Sequence, residues 1–280
     1  MLFRRSDPMR RYAAVAGQFY AGSRERLIRQ IEGCYLSPLG PGSVPKPLPH
    51  GKREIKGAIV PHAGYVYSGP VAAHTYSAIA ADGVPETIVI LGPNHTGLGS
   101  GIAVTNETFV TPLGDVQVDA EIANAIAKDV IDMDATAHRE EHSIEVQLPF
   151  IQHLKPDCKI VPVCMGIQDY SAAEKVGKII KDAIKGKDAV VIASTDFSHY
   201  VRKDTAQRLD RLAIDCIIQR DPKKLHDVVM KNDISMCGYG PVMAMLFAAG
   251  GTDAKLLKYA TSGDVSPMSE VVGYASIIVR

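Results

Sequence analysis

Apolar residues fall along this chain in two rhythms. Short, unbroken, β-branched runs alternate with longer segments in which apolar positions recur every three or four residues. Three of the short runs are Lys56-Gly-Ala-Ile-Val-Pro-His62, Thr87-Ile-Val-Ile-Leu-Gly-Pro-Asn-His95 and Ala189-Val-Val-Ile-Ala-Ser-Thr-Asp-Phe-Ser-His199. Runs of this kind suit strands buried on both faces, as in parallel sheets covered by helices. The rhythm predicts helices over 23–35, 70–81, 118–130, 143–154, 172–184, 203–219, 222–230 and 241–249. Ser23 and Asp119 stand at N-cap positions and Pro70 at a helix start. The last helix is apolar all round, which predicts burial. Strands are expected at 56–61, 87–91, 159–163, 189–194, 254–259 and 271–279, with two short strands over 101–105 and 108–118 forming a hairpin beside the sheet. The Pro- and Gly-rich stretch 37–49 reads as a loop. Alternating strands and helices indicate an α/β fold, a single domain with a mostly parallel central sheet flanked by helices. That domain is expected over 10–280, after a flexible tail at 1–9. The basic stretch from Met1 to Arg11 reads as solvated.

All three runs end in a histidine set among turn residues. Ligands of open α/β sheets bind beyond the carboxyl ends of the strands. Three histidines delivered to one sheet edge therefore suggest a metal or acid–base site, although each alone also fits an ordinary turn position. Asp196 lies three residues before His199, close enough for its carboxylate to bond a ring nitrogen or to cap a helix. Cys237 precedes the buried helix, where the helix N-terminus favours thiolate, the metal-binding form. A buried inert thiol is the other reading. His142 sits in Glu141-His142-Ser-Ile-Glu145-Val-Gln147 and is placed near the site; Glu141 and Glu145 also fit plain helix N-terminal charge. His50, His74, His153 and His226 read as structural.

Composition narrows the classes. Lys plus Arg and Asp plus Glu number 31 each, so no basic excess favours nucleic acid. No apolar run reaches the ~20 residues of a membrane span, and no secretory signal is recognisable, so a cytoplasmic protein is expected. The five cysteines, Cys34, Cys158, Cys164, Cys216 and Cys237, form no Cys-x-x-Cys pair, which argues against a disulfide framework or zinc ribbon. The first four read as core residues. The loop Gly97-Leu-Gly99-Ser-Gly101 lacks dinucleotide or P-loop spacing, His138 and His142 do not form a zincin motif, and no nucleophile elbow is present.

A set of motifs spread over nearly the whole chain carries a resemblance. They are Ala16-Gly-Gln-Phe-Tyr20, Pro61-His-Ala-Gly-Tyr-Val-Tyr-Ser-Gly69, Leu91-Gly-Pro-Asn-His95, Thr111-Pro-Leu-Gly-Asp115, Glu141-His-Ser-Ile-Glu-Val-Gln-Leu-Pro-Phe150, Asp196-Phe-Ser-His199 and Cys237-Gly238. Together they resemble the Memo family (mediator of cell motility), known in prokaryotes as AmmeMemoRadiSam system protein B. The resemblance implies the fold of class III extradiol ring-cleaving dioxygenases, whose non-haem Fe(II) is held by two histidines and a carboxylate. In the Memo family a cysteine replaces the carboxylate. Carried over, His62, His95 and Cys237 are the implied metal ligands, and His199 is the acid–base residue with Asp196 beside it. Tyr65, Tyr67 and His142 are expected to line the substrate crevice. Mononuclear Fe(II) is the expected metal, while a soft thiolate also admits copper or zinc. Redox chemistry on a small-molecule or peptide ligand is the expectation. A non-catalytic phosphopeptide-binding module and a zinc hydrolase are the alternatives. The prokaryotic name further implies radical SAM and AMMECR-type partner proteins.

Overall fold

The strands that lead to the three histidines are buried along nearly their whole length. The computed structural model describes residues 9–49 and 51–280. In chain order the elements are β1 (Arg10–Tyr12), α1 (Arg24–Leu36), β2 (Gly57–Val60), α2 (Gly69–Asp82), β3 (Thr87–Pro93), β4 (Ile102–Val104), β5 (Thr108–Thr111), β6 (Gly114–Val116) and α3 (Ala120–Ile126). There follow β7 (Asp132–Met133), α4 (Leu148–Leu154), β8 (Lys159–Met165), α5 (Tyr170–Ala183), β9 (Ala189–Ser194), α6 (Lys203–Ile218), α7 (Pro222–Lys231), α8 (Tyr239–Ala249), β10 (Ala254–Thr261) and β11 (Gly273–Val279).

Eight strands form the main sheet in the order β10-β11-β2-β9-β3-β8-β4-β7. Its centre, β2-β9-β3-β8, is parallel. β11 joins β2 antiparallel on one side and β4 joins β8 antiparallel on the other, so the sheet is mixed around a parallel core. Alternation along the strands divides the apolar residues between two layers. Ile88, Ile90, Val190 and Ile192 face the layer that includes α1, α2 and α4. Val89, Leu91, Val191 and Ala193 face α3, α5, α6, α7 and α8. This two-sided cover is why the runs carry no polar alternation. Helix α8 is buried on nearly every side, as its composition predicts. Among the described residues, no helix is long and apolar enough to cross a membrane.

Three expectations change. The hairpin of β5 and β6 does not border the main sheet; with β1 it makes a separate three-stranded sheet, while β4 belongs to the main one. The helix expected over 143–154 is a loop, then a 3-10 turn at Glu145–Gln147, then α4. Side chains hold that stretch out of helix: the Ser143 hydroxyl donates to the Pro93 carbonyl at 2.9 Å, and Glu141 accepts the backbone N–H groups of His142 and Ser143, each at 2.8 Å. Third, residues 1–8 of the expected tail lie outside the described residues, as does His50, but Arg11 is not solvated. Its side chain is 1% exposed and pairs with buried Glu145. Glu145 also accepts the N–H of Ala14 at 2.8 Å, the N–H of Val15 at 3.1 Å and the Tyr20 hydroxyl at 2.5 Å. Polar satisfaction, rather than hydrophobic pattern, fastens the first strand to the domain.

Candidate metal centre

Register places the site before any side chain is considered. β2 and β3 flank β9 in parallel, with Val60 opposite Ser194 and Leu91 opposite Ala193. Their carboxyl ends finish level, so His62, His95, Asp196 and His199 leave the sheet at one edge. Cys237 reaches that edge from the loop before α8. Its backbone N–H donates to the Asp196 carbonyl at 3.3 Å, and the Asp196 N–H points at Cys237 Sγ at 3.2 Å. Gly238 makes the approach possible: a Cβ there would stand 2.7 Å from Thr195 Cβ and 2.8 Å from the Ser194 carbonyl. Gly92 serves a similar purpose on β3, because a Cβ would collide with the Ser143 hydroxyl and push away the segment carrying Glu141 and His142.

One donor atom from each of His62, His95 and Cys237 falls within 4.8 Å of the others. Cys237 Sγ is 3.3 Å from His62 Nε2. Donors set about 2.0–2.3 Å from one ion stand roughly 3–4 Å apart, so this spacing fits a shared metal. The other nitrogen of each ring is engaged: His62 Nδ1 lies 2.9 Å from the Ser194 hydroxyl, and His95 Nδ1 lies 2.9 Å from Glu141 Oε1. A fixed partner on Nδ1, which leaves Nε2 available to a metal, is the usual dress of a metal-bound histidine. His62 is buried, while the His95 side chain is 32% exposed and leaves the cluster open to solvent on its side.

His95, Glu141 and His142 form a second group of convergent donors. Here the carboxylate is already occupied. Glu141 Oε1 accepts from His95 Nδ1 and from the N–H groups of His142 and Ser143, and Oε2 accepts the His95 N–H at 2.5 Å. Glu141 thus orients His95 rather than offering a free ligand. His142 completes the wall: its ring stacks on His95 at 4.6 Å, meets His62 edge-on at 5.5 Å, and lies 4.7 Å from Phe19.

The electrostatics follow from burial and crowding. Burial, with the neighbouring His142, His95 and His199 rings, holds His62 well below the usual histidine range and so keeps it neutral. Burial works against the Glu141 charge, but the His95 bond and the backbone N–H groups outweigh it and hold the carboxyl at about 2. Asp196 is pushed up to about 6 by burial, opposed by the His62 N–H. Burial and the Asp196 charge push the Cys237 thiol well above the usual range. In the metal-free chain desolvation outweighs the helix N-terminus, so the buried-thiol reading of Cys237 fits better than the thiolate one. Cys34, Cys158, Cys164 and Cys216 are buried thiols, as expected of core residues.

The remaining candidates divide. The His199 ring donates from Nδ1 to the Ser235 carbonyl at 2.7 Å, which leaves Nε2 free as a base. Asp196 does not bond that ring and caps no helix. Its carboxylate accepts the His62 backbone N–H at 2.8 Å and braces the β2 end. Tyr65 does not line a crevice either: it is buried, its hydroxyl donates to the Val146 carbonyl at 2.7 Å, and its ring packs 4.9 Å from Phe150. Tyr67 stays at the surface, 38% exposed. Glu145 serves Arg11 and Tyr20. Of the two partners of the histidines, Glu141 reads from sequence only as helix N-terminal charge, and Ser194 is not singled out at all. The one signal for Ser194 was a hydroxyl closing an otherwise apolar run.

The profile of the Memo-like protein family matches residues 11–278. MEMO1 family proteins of Methanopyrus kandleri and Methanocaldococcus jannaschii are each 49% identical to the chain, over 97% and 96% of it and 99% of each relative. One from Methanothermobacter thermautotrophicus is 48% identical, over 96% of the chain and all of the relative. An uncharacterized protein of Escherichia coli K12 has a similar fold, with a TM-score of 0.55 at 12% identity, over 81% of this chain and all of that one. With a profile spanning nearly the full length and relatives near half identical throughout, the chain belongs to the Memo-like family.

Proposed function

We propose that this protein is a metal-dependent redox protein, with His62, His95 and Cys237 holding one Fe(II) or copper ion. The convergence of one ring nitrogen from each of His62 and His95 with the Cys237 sulfur, all within 4.8 Å, carries the reading. When bound, such an ion supplies one-electron and O₂ chemistry, and a thiolate in place of a carboxylate tilts it toward softer metals. The chain's own groups supply the rest. His62 is buried and keeps water from one side, while half-open His95 marks the side from which a small-molecule or peptide ligand enters. His199, with Nδ1 committed to Ser235, takes or returns a proton at Nε2. Zinc hydrolysis is the second reading, favoured by the half-buried thiol–imidazole pair, since cysteine and histidine are the preferred ligands of that metal.

The test is anaerobic purification with metal analysis, then titration of Fe(II), Cu(I) and Zn(II) into wild type and Cys237→Ala. Stoichiometric iron or copper that is lost in the variant is the expected result. Zinc alone moves the reading to hydrolysis, and absence of any tight metal overturns it.

A further inference from the structure

Ser194 Oγ has three polar neighbours. It lies 2.6 Å from the Ser143 carbonyl, 2.8 Å from Gln147 Nε2 and 2.9 Å from His62 Nδ1. A hydroxyl has one proton and two lone pairs to share among them. The carbonyl has no proton, so the Ser194 proton must go to Ser143. The Gln147 amide has only one workable orientation. Its nitrogen also meets the Pro61 carbonyl at 2.9 Å, while its oxygen accepts the Tyr76 hydroxyl at 2.8 Å. Gln147 therefore donates to Ser194 and takes one lone pair. The last lone pair is left for His62 Nδ1, and that contact bonds only when His62 carries its proton on Nδ1. Nε2, 3.3 Å from Cys237 Sγ, is then bare. Glu141 imposes the same tautomer on His95, because an ionised carboxylate can only accept.

We propose that the segment 141–147, through Glu141 on His95 and through Ser143, Gln147 and Ser194 on His62, is a tautomer lock that holds both rings with Nδ1 protonated and Nε2 bare. Its purpose rests on the metal reading above; its existence does not. The four are positioning residues, acting on the rings and not on a substrate. Gly92 and the Ser143 bond to Pro93 hold the segment against β3, so both rings are set by one rigid piece. A histidine that reaches the metal-free state in the wrong tautomer must reorganise a buried network before it can bind.

The experiment is a long-range proton–nitrogen correlation spectrum of the isotope-labelled full chain, purified free of metal. In wild type, His62 and His95 are expected to show a protonated Nδ1 and a bare Nε2. In Ser194→Ala the His62 pattern becomes mixed while His95 is unchanged, and Ser194→Thr, which keeps the hydroxyl, restores it. In Glu141→Gln only the His95 pattern changes. A wild-type ring protonated at Nε2, or an unchanged His62 pattern in Ser194→Ala, overturns the lock. Should Ser194→Ala fail to fold, the wild-type spectrum and Glu141→Gln still decide. Fe(II) affinity in Ser194→Ala is expected to fall by about 10–100-fold; unchanged affinity removes the lock's role. A chain with both rings locked that takes up no metal upholds the lock and overturns the metal reading.

Discussion

Cys237 Sγ lies 3.3 Å from His62 Nε2, although 175 residues separate them in the chain. Each is held by backbone contacts to Asp196, whose carboxylate takes the His62 N–H and whose own N–H faces the sulfur. One residue at the end of β9 thus sets the spacing of the pair.

Replacing Cys237 with alanine removes the softest donor and leaves the loop to α8 intact. Metal affinity is expected to fall by more than the roughly 10–100-fold typical of losing an outer partner, with the thermal midpoint of the metal-free chain nearly unchanged. Titration alongside circular dichroism checks both halves. Wild-type affinity in the variant would remove Cys237 from the ligand set.

His199→Ala separates metal binding from proton movement. The ring bonds the Ser235 carbonyl, outside the group of His62, His95 and Cys237. Metal affinity should stay within about threefold of wild type, a small change beside the ~10-fold minimum for losing a ligand's partner. A larger loss would place His199 among the groups that hold the ion. Turnover, once a substrate is found, should collapse.

Arg11→Met tests the attachment of β1. It strands the Glu145 carboxylate in the interior without its cation, an error that costs about 3–5 kcal/mol. Urea unfolding should show a midpoint lowered accordingly. A change under ~1 kcal/mol, the range of an exposed pair, would mean that Arg11 is solvated after all.

His138 gives the acid sensitivity a defined window. Burial lowers it to about 4, and its Nε2 has no hydrogen-bond partner among the described residues, so the folded chain keeps it neutral. Between its ordinary value of 6.5 and about 4 the unfolded chain binds the proton and the folded one does not. Stability is therefore fully present above 6.5 and is lost as pH falls through that window, by on the order of 3 kcal/mol. Glu141 adds a second loss lower down, as pH falls from its ordinary 4.5 to about 2. Thermal midpoints of wild type and His138→Gln from pH 7 to pH 4 should converge toward the acid end. Parallel curves would assign the upper window to another group.

Gly92→Ala puts a methyl against the Ser143 hydroxyl. The expected cost is about 1–3 kcal/mol, as for other overpacked interiors, and metal affinity should fall with it because Glu141 and His142 ride on the displaced segment. A variant with lost stability but full affinity would show that the segment moves without disturbing His95.

How far the chain could be read depended on the range of the forces involved. Strands β2, β3 and β9 and the buried helix α8 were legible because burial on two faces leaves a local mark, an unbroken apolar run or an apolar girdle. Turn chemistry at the strand ends marked His62, His95 and His199, and a place just before the buried helix marked Cys237. The roles of Asp196 and Tyr65 were not legible. Whether an aspartate faces a ring or a backbone N–H, and whether a tyrosine faces a crevice or a phenylalanine, depends on atoms far away in sequence. The same holds for Arg11, whose partner Glu145 lies 134 residues on.

The sequence by itself determined the layered α/β architecture, the sheet edge that carries the histidines, and membership of a family. Those follow from local periodicity and residue identity. Only the tertiary structure decided which ring nitrogen of His62 and His95 has a fixed partner, that burial favours the thiol form of Cys237, and that Glu141 and Ser194 stand behind the rings. Hydrogen-bond direction and desolvation are settled by distance and burial, and those quantities exist only once the chain has closed on itself.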